Sequence, residues 1–386
     1  MKKTSIYFLS ALTLGLGFTS CSSSDDGGPD ETLTAKEQML KDAASDYINL
    51  TVLPTYKGMA DAAISLYDYC EVIQNNHANG TLTTADIKNA ADAWKASRKY
   101  WELSEAFLFG PAADHYIDPH IDSWPLDKDA MDRMLADIRA GKEYSLDNNF
   151  GYGLLGFHSI EYMLFELTPD GNASNYHSLN YTPEELTYLL LVAEDLRNQC
   201  VCLEACWAGT ENVSEKKQRI LEESELDLGK NHGYMMINAG KGGSIYKTYQ
   251  EVAEEIIQGC IDIADEVGNT KIGRPCTGSS LEDRNYIESP YSLNSIEDFI
   301  DNIKSIQNSY CGVAGAHASI SDYVKSVNPD LDAKLKNQIN QAITAIGAIR
   351  EPFAKNANSA EARNAVKVVG TDLVEVLNEV YTSLSR

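Results

Sequence analysis

Apolar residues in this chain recur at steps of three and four almost throughout, which restricts it to helices. Ile87, Ala91, Trp94, Trp101 and Leu108 mark one stripe, and Leu186, Leu189, Ala193, Leu196, Cys200, Leu203 and Trp207 mark a second. The second half repeats the pattern from Ile245 to Val267, from Ile296 to Val313, from Leu331 to Ile346 and from Val366 to Leu384. Sustained alternation, the mark of a half-buried strand, is absent. Thr182-Pro183-Glu184-Glu185 places a capping Thr, a Pro at the first helical position and a Glu three residues after the cap, and Ser295 before Ile296 is a weaker start. About 355 residues lie beyond the polar N-terminal stretch, more than one core normally holds. The expected fold is therefore all-α, with two antiparallel helical-bundle halves packed against each other. Residues 35–212 are assigned to the first bundle and 213–386 to the second, with the Gly-rich run Asn238 to Ser244 as an alternative boundary. Two Pro- and Gly-containing loops, Gly110 to Pro125 and Gly268 to Tyr291, are long enough to carry function.

The N-terminus reads as an address. Lys2 and Lys3 precede an apolar run from Ile6 to Phe18 that is too short for a permanent span, and a small-residue site leads into Cys21. Residues 1–20 resemble a bacterial lipoprotein signal peptide. That resemblance implies lipidation at Cys21, a membrane partner through the lipid, and an outer-membrane lipoprotein on the periplasmic or cell-surface face. Residues 21–34 read as a disordered acidic tether. Removing residues 1–20 takes away two lysines and no acid, moving the formal charge from -25 to -27. Such a balance excludes nucleic acid as a partner and suits a metal ion or a small cationic ligand. Seven cysteines follow Cys21, an odd count whose pairing sequence cannot settle, and Cys200 falls on an apolar stripe as a core residue would.

Chemistry concentrates in Gly156-Phe-His-Ser-Ile-Glu161. His158 and Glu161 are three apart, so a helix from Phe150 to Leu167 puts them on one face, about 5 to 6 Å apart at Cβ. That helix is apolar almost all round, which makes the pair internal, and a buried carboxylate needs a partner or a metal. Gly151, Gly153 and Gly156 each cost roughly 1 kcal/mol in a helix, so their clustering points to the close approach of another backbone or a ligand. A second anomaly lies on the helix expected from Thr83 to Phe109, where Arg98 and Glu105 share the stripe of Trp94 and Trp101. Seven residues separate them, roughly 10 Å along the axis, so each needs a partner elsewhere. Glu105 is a candidate third ligand beside His158 and Glu161, and Arg98 a candidate holder of a ligand carboxylate; a buried structural ion pair accounts for both equally well. The following loop adds Asp114, His115, Asp118, His120 and Asp122 as potential ligands.

These residues, in order, resemble the imelysin family: Ala93-Trp94 with Arg98, Glu105-Ala-Phe-Leu-Phe-Gly110-Pro111, Ile121-Asp-Ser-Trp-Pro-Leu-Asp127, Gly156-Phe-His-Ser-Ile-Glu161, Glu288-Ser-Pro-Tyr-Ser292, Asp298 and Asn308-Ser-Tyr-Cys-Gly312. The resemblance implies an all-helical protein of two halves, exported, with a site at their interface and a link to iron regulation or uptake. It places His158 and Glu161 as metal ligands, surrounds them with Arg98, Glu105, Asp122 and Trp124, and brings Glu288 and Ser292 from the second half. It also implies peptidase activity, but H-E-x-x-H is absent and Tyr162 stands where an inverted motif needs a His. Glu105 is the only candidate for a water-activating base. Three functions remain open: binding a divalent metal, iron or zinc, in metal uptake; a metallopeptidase; and a binding module for an organic anion or acidic sugar held by Arg98.

Overall fold

The computed structural model describes residues 33–144, 151–226 and 231–385. The expected signal peptide, Cys21 and nearly all of the tether lie outside these ranges. Among the described residues no helix is long and apolar enough to cross a membrane.

Among the described residues thirteen longer helices carry the fold: α1 (Ala35–Asp46), α2 (Leu53–Ala78), α3 (Thr84–Glu102), α4 (Lys128–Arg139), α5 (Gly156–Leu164), α6 (Pro183–Ala208), α7 (Glu215–Ser224), α8 (Tyr249–Asp265), α9 (Ser295–Cys311), α10 (Ile320–Val327), α11 (Pro329–Gly347), α12 (Ala360–Lys367) and α13 (Val374–Leu384). The all-α expectation holds. Its one departure is a hairpin in which β1 (Phe165–Leu167) pairs antiparallel with β2 (Ser174–Tyr176), too short for a periodic signal.

In the first half α2 packs along both α3 and α6, and α5 wedges between α3 and α6. In the second half α8 packs on α9 and α13, and α11 lies against α9, α12 and α13. The N-terminal helix crosses over: α1 packs on α8 and α10, and Lys36 Nζ donates to Leu384 O at 3.0 Å. One continuous apolar core runs through both halves, with Trp94, Trp101 and Trp207 among its largest fully buried side chains. Cys70, Cys200 and Cys260 are thiols in that core.

Local chemistry explains the helix ends. Thr182 Oγ1 accepts from Glu185 N and the Glu185 carboxylate accepts from Thr182 N, closing the expected capping box over α6; Thr83 and Asp86 do the same for α3. Such caps are typically worth about 1 kcal/mol. Ser295 is not a cap. Asn294 holds that position, and the Ser295 hydroxyl instead donates to Glu288 O.

Three π-helical turns, Tyr47–Val52, Glu266–Lys271 and Val368–Leu373, interrupt the long helices. The last two touch each other. A Cβ on Gly268 would lie 2.2 Å from Gly370 Cα, so only glycine permits the contact.

Candidate functional site

The site is a charged seam where α3, α5 and the loop between them meet the turn before α9. Helix α3 ends sooner than the apolar stripe suggests, at Glu102, and a 3₁₀ turn over Glu105–Phe107 follows. Helix α5 is likewise shorter than expected, because a 3₁₀ turn (Tyr152–Leu154) precedes it and β1 follows. Of the three clustered glycines, Gly156 alone shows a backbone approach that excludes a side chain, while Gly151 has open space around it. Gly156 has φ +74, and a Cβ there would stand 2.2 Å from Ile121 O, so its absence lets α5 start against the turn that carries Asp122. Trp94 Nε1 then donates to Phe157 O at 2.9 Å and fixes α5 on α3.

Arg98 is fully buried, and carboxylates surround it. Its guanidinium bonds Asp122, lies 2.6 Å from Glu102 Oε1 and 2.6 Å from Glu288 Oε1, and stands 3.5 Å from Asp298 Oδ2. The i,i+4 pair with Glu102 is the partner that sequence reading missed, although its spacing on the helix was visible. Asp122 is shared: Oδ2 accepts from Trp101 Nε1 at 2.8 Å and Oδ1 lies 3.0 Å from His158 Nε2. Burial opposes ionisation of Asp122, but Arg98 and His158 outweigh it and hold the carboxyl far below its usual range.

His158 is 3 % exposed. Burial disfavours the imidazolium, yet Asp122 and Glu161 reverse that and raise the pKa to about 9. Glu161 also has a structural part. Its Oε1 accepts from Tyr291 N (3.0 Å), Ser292 N (2.7 Å) and Ser292 Oγ (2.6 Å), which clamps the second half onto α5. The clamp uses a turn with two non-glycine residues in the left-handed region, Ser289 (φ 47) and Leu293 (φ 58). Glu161 Oε2 is left 3.5 Å from His158 Nδ1.

Glu105 stands apart from His158. It pairs with Lys271 at 3.0 Å, and Lys271 also lies 3.2 Å from Glu288 and 3.7 Å from Glu102. Burial pushes the Glu105 carboxyl up to about 8, with Lys271 opposing the shift. Sequence reading missed Lys271, which has no spacing signal toward Glu105. The π turn explains its place: Glu266 and Lys271, five residues apart, fall on one face.

A cavity of 250 Å³ opens onto this face, lined by Glu105, Asp118, Asp122, Glu266, Lys271 and Glu288, with Trp124 and Tyr286 as an aromatic wall. The Trp124 and Tyr286 rings lie 4.0 Å apart, and Trp124 is 5.7 Å from His158. Of the other loop candidates, His120 is drawn away to Asp195 at 3.0 Å, while Asp114 and His115 are exposed.

Six carboxyl groups, of Glu102, Glu105, Asp122, Glu161, Glu288 and Asp298, thus share the seam with Arg98, Lys271 and His158. These carboxyl groups outnumber the basic groups six to three. Within the seam, Asp122, His158 and Glu288 bring one ligand atom each to within 4.8 Å of one another. Glu288 Oε2 is buried without a hydrogen-bond partner, and His158 Nε2 approaches Asp122 without the alignment of a hydrogen bond. An imidazole with two carboxylates suits iron, zinc or manganese. The residues present therefore fit a divalent cation, with Asp122 and Glu288 beside His158 Nε2, and Glu161 Oε2, also without a hydrogen-bond partner, 3.5 Å from His158 Nδ1. An organic anion fits poorly, because it would meet carboxylates before reaching Arg98.

The family model for imelysin, a peptidase M75 family, matches residues 53–380. The chain belongs to the imelysin family. It is 26% identical over 333 residues to iron-regulated protein A of Synechococcus elongatus, covering 86% of this chain and 82% of that one. The crystal structure of a protein assigned as an iron-regulated protein A precursor from Parabacteroides distasonis superposes with a TM-score of 0.75 at 28% identity, covering 92% of this chain and 97% of the other. An imelysin-like protein from Psychrobacter arcticum, 12% identical, shares the imelysin fold with a TM-score of 0.58 over 88% of this chain and 93% of its own.

Proposed function

We propose that this imelysin-family protein binds a divalent metal ion, iron foremost, through Asp122, His158 and Glu288 in the seam between its halves, and serves iron handling outside the cytoplasm as a lipid-anchored protein. The observation that carries the reading is the Glu288 carboxylate oxygen, fully buried and unpartnered beside a histidine and a second carboxylate. The excess of buried carboxyl groups over basic groups supports it, since a bound cation favours their ionised form where hydrogen bonds do not suffice. Two relatives named for iron regulation support iron over other ions. When bound, the ion would supply charge neutralisation in the seam. Arg98 and Trp101 would hold Asp122 in position, and Glu161 would keep the second half docked.

Calorimetric titration of the mature protein with Fe²⁺, Zn²⁺ and Mn²⁺ tests this, beside His158→Ala and Glu288→Gln. Wild type should bind one ion per chain, and each variant should lose at least tenfold in affinity. Equal binding by all three proteins would remove the seam from the account.

A further inference from the structure

The seam holds more ligand atoms than one ion needs. Glu102, Glu105 and Asp122 form a second cluster whose ligand atoms also lie within 4.8 Å of one another, and it shares Asp122 with the first. Lys271 Nζ sits against this second cluster, 3.0 Å from Glu105 and 3.7 Å from Glu102, and reaches Glu288 Oε1 at 3.2 Å. The lysine is 2 % exposed. A buried ammonium is costly unless several acceptors surround it, and here it fills the position where a cation bridging those carboxylates would sit. Its backbone is held as firmly, since the π turn that carries it is locked through Gly268 against Gly370. Arg98 holds the Glu102, Glu288 and Asp298 carboxyls and reaches Asp122, but it leaves Glu288 Oε2 at the first position without a hydrogen-bond partner, while Lys271 already serves the second.

We infer that the seam contains two adjoining cation positions sharing Asp122, and that the Lys271 side chain permanently occupies one, limiting the protein to a single divalent ion. This rests on the metal-binding reading above and assigns Lys271 a specificity role within it. The second position is built of carboxylates alone, so it would take a hard divalent ion such as Mn²⁺ rather than Zn²⁺. Both positions border the 250 Å³ cavity through Asp122, Glu105 and Glu288, so an ion entering from solvent meets either one.

The test counts Mn²⁺ per chain after gel filtration of the mature protein, with electron paramagnetic resonance as a second readout. Wild type and Lys271→Arg should retain one ion with an isolated Mn²⁺ signal; Lys271→Gln should retain two with an exchange-coupled signal. A folded Lys271→Gln protein holding one ion, or a wild-type protein holding two, overturns the inference and leaves the metal reading standing. A wild-type protein holding none removes the metal reading, and this inference with it. Should Lys271→Gln fail to fold, the lysine resonance of the wild type decides. The nitrogen-15 resonance of the buried Lys271 ammonium should persist at saturating Zn²⁺, and its loss would show the metal displacing the lysine and overturn the inference.

Discussion

His158 and His232 are equally buried, each 3 % exposed, and their surroundings drive them to opposite charge states. His158 sits among carboxylates, and its pKa is raised to about 9. His232 sits in an aromatic nest of Phe109, Trp207 and Tyr246, its Nε2 3.0 Å from the Tyr246 hydroxyl, and burial lowers its pKa to about 4. Burial alone therefore does not mark a functional histidine. What separates the two is whether the buried neighbours carry charge.

The linkage differs in sign. His158 in the metal-free protein contributes stability that is complete below about pH 6.5 and fades as pH rises through about 9. His232 contributes stability that is complete above about pH 6.5 and is lost as pH falls toward about 4, because the unfolded chain takes up the proton first.

The harshest way to break the contrast is Arg98→Met, which strips the cation from four carboxylates. It should cost about 3–5 kcal/mol in urea unfolding at neutral pH, with part recovered when the acids are protonated. Next is His232→Phe. Between pH 7 and pH 4 the wild type should lose on the order of 2–3 kcal/mol through this group, and the variant should lose less by that amount, as paired denaturation curves would show. An unchanged acid slope would mean that the nest does not exclude the proton. Gly156→Ala sharpens the comparison from the seam side. Its side chain meets Ile121 O in a left-handed backbone, so a loss of roughly 2 kcal/mol is expected, together with weakened metal binding as Asp122 moves from His158. Smallest is Ser292→Ala, which removes one of the three hydrogen bonds to Glu161 Oε1 and should cost about 1 kcal/mol without changing ion stoichiometry.

The helices were legible because their apolar stripes repeat over many turns, as on α6, where Leu186 to Trp207 and the Thr182 cap fixed both identity and start. Helix ends were less so. A stripe cannot show where a 3₁₀ turn begins, which is why α3 reached Phe109 on paper and stops at Glu102 in the structure. Within the site, His158, Arg98 and Gly156 stood out as polar or flexible residues in apolar surroundings, whereas Asp122 was one of five candidate ligands in its loop. Their partnerships did not, since Arg98 meets Glu288 190 residues away and Glu105 meets Lys271 166 residues away, and no local period encodes such contacts. The family resemblance supplied Glu288 and Ser292 as names without roles. Only the geometry separates Ser292, which clamps Glu161, from Glu288, which presents an open oxygen.

The long reach from Arg98 to Glu288 bears on folding order. Closing a loop of 190 residues carries an entropic cost that must be met before its contacts reward it, so the seam assembles only once Arg98 and Glu288 are brought together. A partly folded chain carries scattered carboxylates but no centre. Ion capture at the proposed site would then report completed folding.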